Sequence, residues 1–134
     1  MPVDMVWFKK DLRTRDHAPL LSASLSGSPV ICLFILEPER LELDDIDPIH
    51  VQWELDCATD LSDALKALGA DLHFAVGDAV SVMEDLDKKY GIGRLLSHEE
   101  TGNSWSFERD KQIQRWCRSK GIEWVEYPHN GVVR

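Results

Sequence analysis

The amino-acid sequence predicts a single α/β domain over residues 1–134, a parallel sheet covered by helices on both faces, and three observations carry that prediction. Short β-rich runs alternate with longer helical patterns, a glycine closes three of the helices, and the turns between elements are short. Parallel neighbours joined in this way need right-handed crossovers, which lay helices over both sides of one sheet. The expected architecture is a doubly wound, five-stranded three-layer sandwich in the strand order 3-2-1-4-5. With 43% hydrophobic residues among 134, the chain can bury roughly two-thirds of its unfolded surface around one core.

The strands are read at Val3–Phe8, Pro29–Leu36, Asp71–Ala75, Arg94–Ser97 and Ile122–Glu126. Between the first two, a short helix takes Asp16 as its cap and keeps Pro19 in its first turn, where a missing amide hydrogen does least harm; it ends near Gly27. The second helix is the clearest. Val51, Leu55, Ala58, Leu61, Leu65 and Leu68 recur at three- and four-residue steps, while Gln52, Asp56, Asp60 and Asp63 occupy the other faces. The third begins at Gly77-Asp78, with Asp78 accepting the orphan amides of the first turn and Ala79, Val82 or Met83, Leu86 and Tyr90 turned inward. The fourth follows Asn103 and Ser104 as candidate caps and turns Phe107, Ile113, Trp116 and Cys117 inward, on imperfect spacing. Gly69, Gly91 and Gly121 each stand at a helix exit, where a left-handed backbone suits a residue without Cβ.

Composition excludes several functions. Lys and Arg number 15 against 24 Asp and Glu, giving a net charge of -9 and a pI near 4.9, so a nucleic-acid backbone would meet long-range repulsion from the domain as a whole. No apolar run approaches the ~20 residues of a membrane helix. The start, Met1-Pro2-Val3-Asp4, lacks the basic-then-apolar pattern of a secretion signal, and the expected location is cytoplasmic. Cys32, Cys57 and Cys117 lie far apart with no C-x-x-C pair and are read as reduced core residues. Neither the G-x-x-x-x-G-K-[ST] phosphate loop nor the G-x-G-x-x-G turn occurs, which disfavours the commonest nucleotide chemistries. The closing Gly131-Val132-Val133-Arg134 follow a complete last strand without a tail, as in a cut fragment.

Open doubly wound sheets bind ligands beyond the carboxyl ends of their strands, where the strand order reverses. The loop after the first strand, Lys9-Lys10-Asp11-Leu12-Arg13-Thr14-Arg15-Asp16, concentrates four cations in an acidic chain. It reads either as a cradle for an anion or polar heterocycle, or as a solvated turn of Lys/Arg–Asp pairs. The loop after the fourth strand, His98-Glu99-Glu100-Thr101-Gly102-Asn103, reads either as a ligand-facing loop or as an ordinary approach to a helix cap. Glu99 and Glu100 are adjacent and point apart on extended backbone, so they make no acid/base pair; His98 has no nucleophile motif and no metal-ligand spacing beside it. Trp7, Trp53, Trp116 and Trp124 are read as structural; Trp105 lies beside the crevice and reads first as packing under the loop, with stacking on a planar ligand as the alternative.

The run Val6-Trp7-Phe8-Lys9-Lys10-Asp11-Leu12-Arg13-Thr14-Arg15-Asp16-His17 resembles the N-terminal signature of the DNA photolyase/cryptochrome family. Phe34-Ile35-Leu36-Glu37-Pro38, Leu68-Gly69, Gly77-Asp78 and Arg109-Asp110 extend the resemblance over nearly the whole chain. It implies a Rossmann-like antenna domain from a longer deoxyribodipyrimidine photolyase, a carbon-carbon lyase that repairs pyrimidine dimers in DNA with light. The FAD and the damaged DNA would belong to a helical domain absent from this chain, and this fragment would hold no catalytic residue and be inactive alone. An antenna chromophore would lie across the crevice and pass its excitation to the FAD.

Its ligands would be Phe8, Lys9, Lys10, Asp11 and Arg13 from the first loop, Leu36 and Glu37 from the second, and His98, Glu99 and Glu100 from the fourth, with Trp105 and Arg109 from the last helix. Lys10 stands where the family usually shows Arg, and His17 where it often shows Asn. Ser106 stands where folate-type sites place Glu, three residues before Arg109, which favours FMN or deazaflavin, or an empty pocket, over folate. Arg109 and Asp110 also read as a structural ion pair. The alternatives are a cryptochrome photoreceptor, a stand-alone nucleotide-binding module with a natural stop near Arg134, and a dimerisation domain that binds no chromophore.

Overall fold

The computed structural model describes residues 2–9, 11–12, 14, 17–41, 48–99 and 104–128. In chain order the elements are β1 (Val3–Phe8), α1 (Ala18–Leu25), β2 (Val30–Leu36), α2 (Pro38–Leu41), α3 (Pro48–Ala67), β3 (Leu72–Val76), α4 (Ala79–Tyr90), β4 (Ile92–His98), α5 (Ser104–Lys120) and β5 (Glu123–Tyr127). All sheet pairings are parallel, in the order β3-β2-β1-β4-β5, so the doubly wound topology expected from the alternation is the one formed. No described helix is long and apolar enough to cross a membrane.

The central strand decides where everything else sits. Every residue of β1 is buried, and alternation sends its side chains to opposite faces. Val3, Met5 and Trp7 join Leu33, Ile35, Leu95, Met83, Leu86, Ile113 and Trp116 beneath α4 and α5. Val6 and Phe8 join Ala23, Cys32, Leu61 and Leu65 beneath α1 and α3. Asp4 breaks the apolar pattern and is tolerated because Arg94, its registered partner on β4, donates to it twice, at 2.8 and 3.2 Å. That guanidinium holds the Asp4 carboxyl below its usual range.

Helix ends follow the expected chemistry, with several differences. Gly69, Gly91 and Gly121 take positive φ of 83°, 75° and 72° at the exits of α3, α4 and α5. Asp78 caps α4 by accepting from the Ser81 amide at 3.1 Å. The cap of α1 is His17, whose Nδ1 accepts from the Leu20 amide at 3.1 Å; the expected cap, Asp16, lies outside the described residues, as does Asn103 before α5. The short α2 has no counterpart in the sequence reading.

Three aromatic residues expected to pack do not: Trp53, Phe107 and Tyr90 are 62%, 60% and 42% exposed. Trp53 lies outside the apolar stripe of its helix and Phe107 fits the spacing of its own imperfectly, so neither falls on the strip of helix that meets the sheet; Tyr90 ends its helix beyond that strip. Leu68 is likewise exposed, because α3 stops at Ala67. All three cysteines are free; Cys32 and Cys117 are buried, while Cys57 is half-buried and outside the core.

Candidate functional site

The switch in winding falls between β1 and β4, and the carboxyl ends of these strands and of β2 carry two polar networks, one on each face of the sheet. Val6 pairs with Leu96, which brings Phe8 level with His98 on the α1 side. There the His17 ring lies against Phe8, with centroids 4.5 Å apart, and edge-on to His98 at 4.7 Å. Asp11 ties the cluster together. Its Oδ2 accepts from His17 Nε2 at 2.5 Å and from His98 Nδ1 at 2.7 Å, while Oδ1 accepts from the Lys9 amide at 2.8 Å. Burial alone would push the Asp11 carboxyl up; the bonds from His17, His98 and the Lys9 amide outweigh it and hold the group far below its ordinary 3.8.

The cap bond fixes a tautomer. Because Nδ1 of His17 accepts from Leu20, its ring proton sits on Nε2 and points at Asp11. Asp11, His17 and His98 place three metal-type donor atoms within 4.8 Å of one another, a grouping with no sequence spacing to announce it. A His17 that ligated through Nε2 would have to keep its proton on Nδ1, where the Leu20 amide already donates. The cluster is therefore built for hydrogen bonding, and coordination there would remove the cap of α1.

The second network occupies the α5 side. Glu37 extends the β2 face that carries Leu33 and Ile35, and its Oε1 accepts from Arg109 Nη1 at 2.5 Å, both groups buried. Arg109 Nε also donates to Asp110 at 2.7 Å, and Lys9 Nζ reaches the other Asp110 oxygen at 3.3 Å. The cations face indoles. Lys9 Nζ lies 4.4 Å from the Trp7 ring centroid and 5.5 Å from that of Trp124; the Arg109 guanidinium carbon lies 4.8 Å from Trp7 and 5.3 Å from Trp105. Trp105 donates from Nε1 to Glu39 on α2 at 3.3 Å, linking α5 across the crevice. Nearby, Glu126 on β5 is exposed, yet partial desolvation pushes its carboxyl up despite the Lys9 charge.

Trp7, Phe8, Lys9, Phe34, Ile35, Glu37, Arg40, Glu54 and Arg109 surround a cavity of about 20 Å³, room for about one water. These side chains form the floor of a site. Its wall is tied by a two-pronged ion pair, in which Arg40 donates to both oxygens of Glu54, at 2.9 and 2.5 Å.

Of the residues expected in the crevice, Phe8, Lys9, Asp11, Glu37, His98, Trp105 and Arg109 come together in these networks. Among the described residues, Leu36 and Glu99 are not joined to either network: the Leu36 carbonyl accepts from the Gly77 amide at 3.0 Å and the Glu99 amide donates to the Tyr127 carbonyl at 2.8 Å, both backbone bonds at the strand ends, and Glu99 is exposed. Lys10, Arg13 and Glu100 lie outside the described residues. The Arg109–Asp110 ion pair expected from the sequence is formed. Sequence reading missed His17, Trp7, Arg40 and Glu54 as members of the site. For His17 a signal existed in its departure from the usual Asn; for Arg40 and Glu54, 14 residues apart on different helices, none did.

Fold and site together define a doubly wound α/β domain with a polar, tryptophan-lined crevice at its carboxyl edge. The family model described as DNA photolyase matches residues 4–134, and the chain belongs to that photolyase/cryptochrome family. Cryptochrome DASH of Gloeobacter violaceus is 30% identical over 114 residues, covering 81% of this chain and 23% of the relative. The deoxyribodipyrimidine photo-lyase of Vibrio cholerae is 28% identical over 133 residues, 96% of this chain and 28% of the relative. An archaeal photolyase from Sulfolobus tokodaii, solved with two FAD molecules and described as implying a novel light-harvesting cofactor, superposes with a TM-score of 0.79 at 27% identity, covering 94% of this chain and 29% of that one. The chain thus spans about a quarter of the length of the relatives it matches.

Proposed function

We propose that this domain is the light-harvesting antenna domain of a deoxyribodipyrimidine photolyase, acting with an FAD-binding helical domain of the same polypeptide to repair pyrimidine dimers in DNA. The observation that carries the proposal is the crevice floor: buried ion pairs and indole faces gathered at the carboxyl ends of β1, β2 and β4, where packing alone would favour aliphatic side chains. The archaeal relative with a second FAD read as light-harvesting supports the same assignment.

The donor set fits an isoalloxazine or deazaflavin. Trp105 and the rim of the crevice offer a stacking face, carboxylates offer acceptors for ring N–H groups, and Arg109 and Lys9 are held rigid by Glu37 and Asp110. Ser106, buried on α5, supplies no carboxylate beside Arg109, which favours FMN or deazaflavin over folate. When bound, such a group supplies absorption of near-UV or blue light and transfer of that excitation to FAD. This chain's own residues position it: the Asp11–His17–His98 cluster anchors the loop after β1 to the end of β4, and the Glu37–Arg109 pair anchors α5 to the end of β2. With a net charge of -9, the domain leaves DNA contact to the rest of the protein.

A second reading, a cryptochrome-type blue-light photoreceptor, is favoured by the similarity to the Gloeobacter protein. Illumination of the full-length protein with dimer-containing DNA separates the two. Light-dependent loss of dimers, with a wavelength profile that includes the antenna band, is expected; its absence assigns the protein to photoreception.

A further inference from the structure

We propose that Lys9 and Arg109 form an electrostatic guard on Trp7, making its indole too hard to oxidise to quench a light-excited flavin held in the crevice. The inference rests on the antenna reading above. Indole is among the most readily oxidised side chains, and an excited flavin is a strong one-electron oxidant. An unguarded tryptophan beside it would transfer one electron, the indole being oxidised and the flavin reduced, and the excitation would be lost before it could be passed on.

Trp7 is only 1% exposed, yet it lines the cavity at the crevice floor. Two cations lie against its ring: Lys9 Nζ at 4.4 Å and the Arg109 guanidinium at 4.8 Å from the centroid. Such a cation is attracted by the electron-rich face of a neutral indole and repels the positive charge that oxidation would leave there. In a site shielded from water neither effect is strongly screened. Asp110 and Glu37 offset part of this field, but they meet the cations and hold them over the ring. The same two cations reach the neighbouring indoles, Lys9 at 5.5 Å from Trp124 and Arg109 at 5.3 Å from Trp105, so one pair of charges serves three tryptophans. Asp110 offsets the cost of holding the Lys9 ammonium, its side chain only 6% exposed, against the ring.

The experiment is time-resolved fluorescence of riboflavin, or FMN, bound at saturation to the wild-type domain, to Lys9→Met and to Lys9→Met with Trp7→Phe. Lys9→Met keeps much of the stem and removes the charge. The guard predicts a long flavin lifetime in the wild type, a lifetime at least several-fold shorter in Lys9→Met, and recovery in the double variant. A Lys9→Met lifetime equal to that of the wild type, no recovery in the double variant, or, with Trp7→Phe measured alongside, a wild-type lifetime already short and lengthened by that change alone overturns the guard and leaves the antenna reading standing. Failure of both flavins to bind the wild type overturns both. Should Lys9→Met not fold, Lys9→Met with Asp110→Asn removes the cation and its carboxylate together and is read in the same way.

Discussion

A single carboxylate organises the α1 side of the crevice. Asp11 accepts three hydrogen bonds and is buried; an amide in its place keeps one accepting oxygen but sets an NH2 group against the donors that the other oxygen served. Asp11→Asn is expected to destabilise the domain by about 3–5 kcal/mol at neutral pH, measured by urea unfolding. Because the folded-state carboxyl is held below its ordinary 3.8, its contribution is fully present above that value and fades as the pH falls through the depressed one. The gap between wild type and variant should therefore close in acid; a gap independent of pH would mean that the charge is not what matters. The sequence marked Asp11 and His98 as crevice residues but could not show that they share an oxygen with His17, because Asp11 and His98 are 87 residues apart. Assigning the cap of α1 to Asp16 followed the commoner chemistry of carboxylate caps, and the imidazole took that place because the same ring also serves Asp11.

At the scale of elements, helix burial was legible wherever the apolar spacing coincided with the sheet. Leu61 and Leu65 of α3 and Ile113, Trp116 and Cys117 of α5 are buried as their spacing predicts. Trp53, Phe107 and Tyr90 carried an apolar signal and stayed outside, since a helix offers apolar positions wherever they fall but a sheet covers only one strip of it. Strand limits shifted by one or two residues, as in β4, read as Arg94–Ser97 and formed as Ile92–His98; that extension is what carries His98 into the site. Leu65, 1% exposed beneath the sheet, gives the sharpest test of this packing: Leu65→Ala should cost about 2–5 kcal/mol in chemical denaturation, with flavin affinity per folded molecule unchanged. A cost below 1 kcal/mol would show that the α3 face is not tightly packed.

For the whole molecule, topology was the most legible feature, since alternation and short turns leave few ways to wind a parallel sheet, and the observed order follows. What escaped the sequence was how the crevice is divided: alternation along β1 sends Phe8 to the side of α1, where the register with β4 brings His98, and Trp7 to the side of α5, where Glu37 at the end of β2 meets Arg109. A planar chromophore is proposed to rest on that divided floor. Its most direct test is thermal unfolding of the domain with riboflavin, FMN, a deazaflavin or folate, alongside Trp105→Ala. At a concentration of 100 times Kd, binding adds about 2.7 kcal/mol, raising Tm by on the order of 10 °C for a domain of this size. The account predicts that rise with a flavin or deazaflavin, smaller with folate, and diminished in Trp105→Ala; a Tm unmoved by any of these chromophores would contradict it.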